Sequence, residues 1–159
     1  MKVWRIGILF AAIAILGSMV VCQPGWLASN EFLLTIMTHE LVSILVVILT
    51  ITLASVANIH LAITRMLGGV KGDKTAATNA ANGVRREINT NAWTIFWAFV
   101  LAVAALVWKG AYPNNLHIVA AAHAIGLTIL LVNVMILHDI YRATFGLARA
   151  DMNGPGGVG

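Results

Sequence analysis

Four long apolar runs, separated by polar breaks, organise the chain. The first extends from Trp4 to Cys22 and is closed by Gln23-Pro24-Gly25-Trp26, a helix break that carries an interfacial aromatic. Its length suits one bilayer crossing, which predicts a first transmembrane helix (TM1) over 4–22. A signal peptide is the other reading of an apolar run here, but no small-x-small cleavage site follows it. Residues 27–33 read as a short surface connection. The second run predicts TM2 over 34–67, stopped by Gly68-Gly69. This exceeds the ~20 residues a span needs, so the end of TM2 is expected to project into water or to tilt. Residues 68–91 are rich in Ala, Asn and Thr and read as a loop, in which 75–88 could form a short surface helix. TM3 is predicted over 92–108 and TM4 over 116–147, with a turn at Pro113 between them. The Gly-rich tail, 148–159, is expected to be loose.

Composition agrees with this pattern and narrows it. The chain is 60% hydrophobic and 10% charged, against about 25% charged residues in soluble domains. The fold class is therefore an all-α membrane protein, a single four-transmembrane-helix bundle over 1–159. The net charge of +4 reports topology and not nucleic-acid binding. Lys2, Arg5, Arg65, Lys71, Lys74, Arg85, Arg86, Arg142 and Arg149 fall on one side of the four spans, and only Lys109 on the other. Both termini and the 68–91 segment are thus expected in the cytoplasm, in a bacterial-type inner membrane. The single cysteine, Cys22, excludes an internal disulfide and an intrachain thiolate cluster.

TM2 and TM4 repeat one another. His39–His60 and His117–His138 each place histidines 21 positions apart, and the two stretches share Leu49/Leu127, Thr50/Thr128, Ile51/Ile129, Leu53/Leu131 and Val56/Val134. That is seven identities in 22 positions, where so narrow an alphabet would give roughly three by composition. Trp4-x-Ile6-x3-Phe10 likewise echoes Trp93-x-Ile95-x3-Phe99, and Pro24 echoes Pro113. Two helical hairpins repeated in parallel are the simplest account, related by a pseudo-twofold axis along the membrane normal.

In that arrangement TM2 and TM4 run in the same direction. Twenty-one residues rise about 31 Å and return to within about 60° of one helix face. His39 with His117, and His60 with His138, would then form an imidazole pair near each membrane face. Such pairs suit six-coordinate haem iron and could also hold copper or zinc. His123 is a further candidate, as an alternative ligand to His117, as a residue behind the ligands, or at a quinone site. Interfacial histidines that bond only to water and lipid fit the ends of these spans as well. Asn58 and Asn133 are expected to face another helix, and Glu40 and Asp139 are candidate proton acceptors.

The four spans and His39, His60, His117, His123 and His138 resemble, as a class, the four-helix membrane b-type cytochromes. The resemblance implies one or two haem b groups, ligated most defensibly by His60 and His138, and electron exchange between quinol and a partner protein. One departure stands out. In two-haem members the histidines of one helix lie closer together than the 21 residues separating His39 from His60. The step from His123 to His138 is nearer that spacing, and TM2 has no equivalent. The alternatives are a cofactor-free accessory or scaffold subunit of a larger membrane complex or homo-oligomer, and a histidine-based copper-handling protein. Phosphate loops, CxxC and HExxH motifs are absent from the sequence.

Overall fold

The computed structural model describes residues 3–69 and 74–152. They form six helices: α1 (Val3–Cys22), α2 (Pro24–Ala28), α3 (Glu31–Ile36), α4 (His39–Gly69), α5 (Lys74–Ala111) and α6 (Leu116–Met152). Among the described residues, four stretches are long and apolar enough to cross a membrane, namely Trp4–Cys22, His39–Gly69, Ala81–Ala111 and Leu116–Arg142.

The predicted boundaries need four corrections. The start of TM2 is broken in two, because the chain leaves the helix at Met37 (φ −85°, ψ 54°) before α4 begins. The break frees the Met37 carbonyl, which Lys109 uses, and the Thr38 hydroxyl accepts from the Glu40 backbone N–H 3.4 Å away. The connection predicted at 27–33 is more structured than a surface turn. Pro24 opens α2 at a position where its missing N–H costs nothing, and the Asn30 side chain caps α3 by accepting from Leu33 N–H at 3.1 Å. Leu27, Ala28 and Leu33 from this segment enter the core.

The largest difference lies in the loop predicted over 68–91. From Lys74 onward it is the first half of α5, continuous with the third span. Its many alanines favour helix. Ala81, Val84 and Ile88 form a narrow apolar stripe at helical spacing, which packs with Val56, Ile59, Ile63 and Leu67 of α4. The Arg85 guanidinium adds a 2.9 Å hydrogen bond to the Thr64 hydroxyl. The predicted tail at 148–159 is shorter too, since α6 continues to Met152. Residues 153–159 of that tail lie outside the described residues, as do 70–73 of the predicted loop.

α6 is the axis of the molecule and packs against α1, α2, α4 and α5, whereas α4 leans chiefly on α5. Backbones approach closely where side chains are small. Ala98 and Ala102 of α5 and Ala120 and Ala124 of α6 meet Met37, Leu41 and Leu45 in the main core. At Gly126 a Cβ would collide with the Met37 thioether and lie 3.4 Å from Leu41 Cδ2, so glycine is what lets α6 pass the break before α4.

Candidate functional site

Two polar centres are built into the spans, one near each end. The first gathers around His123, which is fully buried on α6. Its Nδ1 lies 2.7 Å from the Leu27 carbonyl, and its Nε2 lies 2.8 Å from Lys109 Nζ. A carbonyl only accepts, so Nδ1 carries the proton. An ammonium only donates, so Nε2 is the acceptor. His123 is thereby fixed as one neutral tautomer, and Lys109 donates a second hydrogen bond to the Met37 carbonyl at 3.1 Å. One ammonium and one imidazole thus tie together α2, the α3–α4 break, α5 and α6. A cleft of 510 Å³ opens beside them, with His39 and Lys109 among its lining residues.

The second centre lies at the other end. Arg5 of α1 is buried, makes an ion pair with Asp139 of α6, and places Nη2 3.1 Å from His138 Nδ1. A guanidinium has no lone pair to offer, so His138 Nδ1 accepts and its proton sits on Nε2. A cleft of 400 Å³ adjoins this pair between α1, α5 and α6. Its walls are apolar toward Leu9 and Val132, while Arg5, Asp139, Arg86, Glu87 and Asn91 line its other end. Two cationic and two anionic side chains leave it close to neutral.

The five candidate histidines occupy five different settings. His39 is exposed at the start of α4 and lines the first cleft. His117 is exposed and donates from Nδ1 to the Val20 carbonyl at 3.1 Å. His123 serves the Lys109 centre. His60 is half-buried on the turn of α4 whose Ile59 and Ile63 pack against Ile88 of α5. His138 is exposed and engaged by Arg5. Imidazole binds iron through a nitrogen lone pair. Arg5 occupies His138 Nδ1 in this arrangement, so ligation through that nitrogen would require the pair to part. Among the described residues, no group of three or more His, Cys, Asp or Glu comes together as a metal site.

The two asparagines separate as well. Asn133 is fully buried in the bundle, with Nδ2 donating to the Ile129 carbonyl at 2.8 Å and Oδ1 unpartnered. Asn58 faces outward from α4. Sequence reasoning counted Arg5 and Lys109 only as topology markers, although both organise polar centres. Their signal was position. Arg5 follows Trp4 within the first apolar run, and Lys109 is the lone cation at its end, flanked by Trp108 and Tyr112. No protein-family model matches the chain, and no curated protein or solved structure matches it either.

Proposed function

We propose that this chain is a small integral membrane subunit that presents a helical hairpin to a partner protein within a larger membrane assembly. The observation that carries the reading is the paired extension of α4 and α5. α4 has 31 residues and α5 has 38, about 46 and 57 Å of helix against a hydrocarbon layer of about 30 Å. The surplus is the polar part of α5, 74–91, zipped onto the end of α4 by Ile59, Ile63 and Ile88. A packed hairpin of this kind is a defined surface, where a loop would have to be ordered by its partner at an entropic cost. Its faces carry Arg65, Arg85 and Arg86 against Glu87. This excess of positive charge suits an acidic partner, and the positive-inside rule supports a reading with the hairpin and both termini on the cytoplasmic side of a bacterial-type inner membrane. Native electrophoresis of the protein extracted in mild detergent tests the reading. The wild type should migrate in an assembly larger than itself, and Arg65→Glu with Arg86→Glu should release it. A wild type that is monomeric in every mild detergent would exclude it.

A second reading is electron transfer with quinol, as the b-type cytochrome resemblance implies. The near-neutral cleft beside Arg5 favours it, since apolar walls with hydrogen-bonding groups at one end suit an uncharged quinone ring. Haem b between His60 and His138 would require His138 to leave Arg5. An optical spectrum of protein expressed with a haem supply decides this. A Soret band lost in His60→Ala and in His138→Ala would support haem, and a featureless spectrum would remove it.

A further inference from the structure

The cleft at the Lys109 end has a charge without a counter-charge. Among the described residues the only ion pair is Arg5–Asp139, at the opposite end, and no carboxylate lines this cleft. Lys109 nevertheless does not extend into solvent. It folds inward and gives two of its N–H groups to the Met37 carbonyl and His123 Nε2, both uncharged acceptors. An ammonium has three N–H groups, and one remains for whatever enters the cleft.

Depth and lining narrow the occupant. Trp108 and Tyr112, which bracket Lys109, are exposed, as is Trp26 beside α2. Aromatic residues of this kind sit at the level of lipid headgroups. Lys109, Asn114, Thr38 and His39 line the cleft together with Leu34, Leu106, Leu116 and Val119, so polar groups and apolar walls share one open cleft at the bundle surface. With a volume of 510 Å³ it has room for a phosphate group and the first part of an acyl chain.

We infer that this cleft binds one anionic phospholipid, with its phosphate on Lys109 Nζ and an acyl chain along Leu34 and Val119. The bond to phosphate is charge-assisted and forms beside apolar walls, where it is stronger than in water. A lipid carrying its own ammonium gains less, because the cleft offers no carboxylate to receive it. The same contact would hold Lys109 in place over His123, so the lipid would brace the junction of α2, α4, α5 and α6.

The test uses the full-length protein, delipidated in detergent, with dioleoyl phosphatidylglycerol, dioleoyl phosphatidylcholine or inorganic phosphate added. Native mass spectrometry reads the adducts and thermal unfolding reads the stabilisation. Phosphatidylglycerol should give a single retained adduct, with a preference over phosphatidylcholine of roughly tenfold. Lys109→Gln should erase that preference. Leu34→Trp should fill part of the cleft and weaken both lipids while leaving the hydrogen bonds of Lys109 intact, which keeps the inference testable if Lys109→Gln unfolds. Equal binding of the two lipids, or an undiminished adduct in Leu34→Trp, would overturn the proposal. Stabilisation by inorganic phosphate alone that matches phosphatidylglycerol would also overturn it, since the site would then take a soluble anion.

Discussion

α4 and α6 carry the two copies of the histidine-bounded repeat, yet they live in different surroundings. In the most apolar stretch of each, 17% of α4 is buried and 44% of α6. At their first turns the copies agree, since Leu41 and Val119 are both buried, and so are Leu45 and His123. Further along they part. Ile51 is 53% exposed and its counterpart Ile129 only 4%. Asn58 faces outward where Ile136 is buried. The cause is packing. α5 lies against α6, but the repeat-related pair, α1 and α4, has no contact of comparable extent. α6 is therefore enclosed, and α4 keeps one side free. A shared hydropathy pattern sets which segments enter the membrane, and the neighbours then decide which faces are buried.

The sharpest way to break this comparison is at the Arg5 centre. Asp139 is related by the repeat to Leu61, which is exposed on α4. Asp139→Ala leaves the Arg5 guanidinium buried without its anion, a loss of about 3–5 kcal/mol. Leu61→Ala should stay within about 0.5 kcal/mol. Thermal or denaturant unfolding in one detergent compares them directly. An Arg5→Leu, Asp139→Leu double variant should recover much of the loss, because both charges leave together.

The next contrast needs no charge. Ile129→Ala removes a side chain from the main core and should cost about 2–5 kcal/mol, whereas Ile51→Ala should cost less than about 1 kcal/mol in the isolated chain. If Ile51→Ala instead proves as costly in the native membrane as Ile129→Ala, the free side of α4 is covered there by a partner. The same pair of variants thus separates the isolated chain from the assembly.

Much of the membrane architecture was legible because span-forming segments announce themselves by length and hydropathy. The hairpin was harder to read. The 74–91 segment is polar on average, and averaging hides a stripe only three residues long, Ala81, Val84 and Ile88. Its meaning depends on Ile59 and Ile63 from another helix. The Lys109 centre was hidden for a similar reason. Its acceptors include two main-chain carbonyls, at Leu27 and Met37, and carbonyl placement has no signature in residue type. His123 could be singled out as an ionisable group within a span, but its partners could not. The histidine repeat is a sequence pattern, whereas the partners of each imidazole come from other helices: Arg5 of α1 reaches His138 Nδ1, a contact that its place among the topology charges does not announce.

A smaller effect sits at Gly126, whose repeat counterpart is Ile48. Gly126→Ala drives a methyl group into the Met37 side chain, and overpacking of this kind costs about 1–3 kcal/mol. Met37 is flexible, so Met37→Ala combined with Gly126→Ala should be less unstable than the sum of the single variants. Strict additivity would mean that α6 does not need this close passage.

The smallest expected difference is between the histidines that most resemble each other in sequence. His138→Ala removes one acceptor from Arg5, which keeps Asp139, and the imidazole it removes is exposed. The loss should be near 1 kcal/mol, in the range of a single hydrogen bond. His60→Ala touches no hydrogen bond of a buried charge and should change stability less. The two substitutions therefore behave unequally if the histidines act separately, one as a minor brace for Arg5 and the other as a residue on the hairpin. They behave alike, and both cost far more, if the native protein holds a group between them. Unfolding curves of the two variants, taken from membranes grown with and without added haem precursor, distinguish these cases. A haem-dependent loss shared by both variants would restore the equivalence that the sequence repeat implies, and it would require His138 to exchange Arg5 for the bound group.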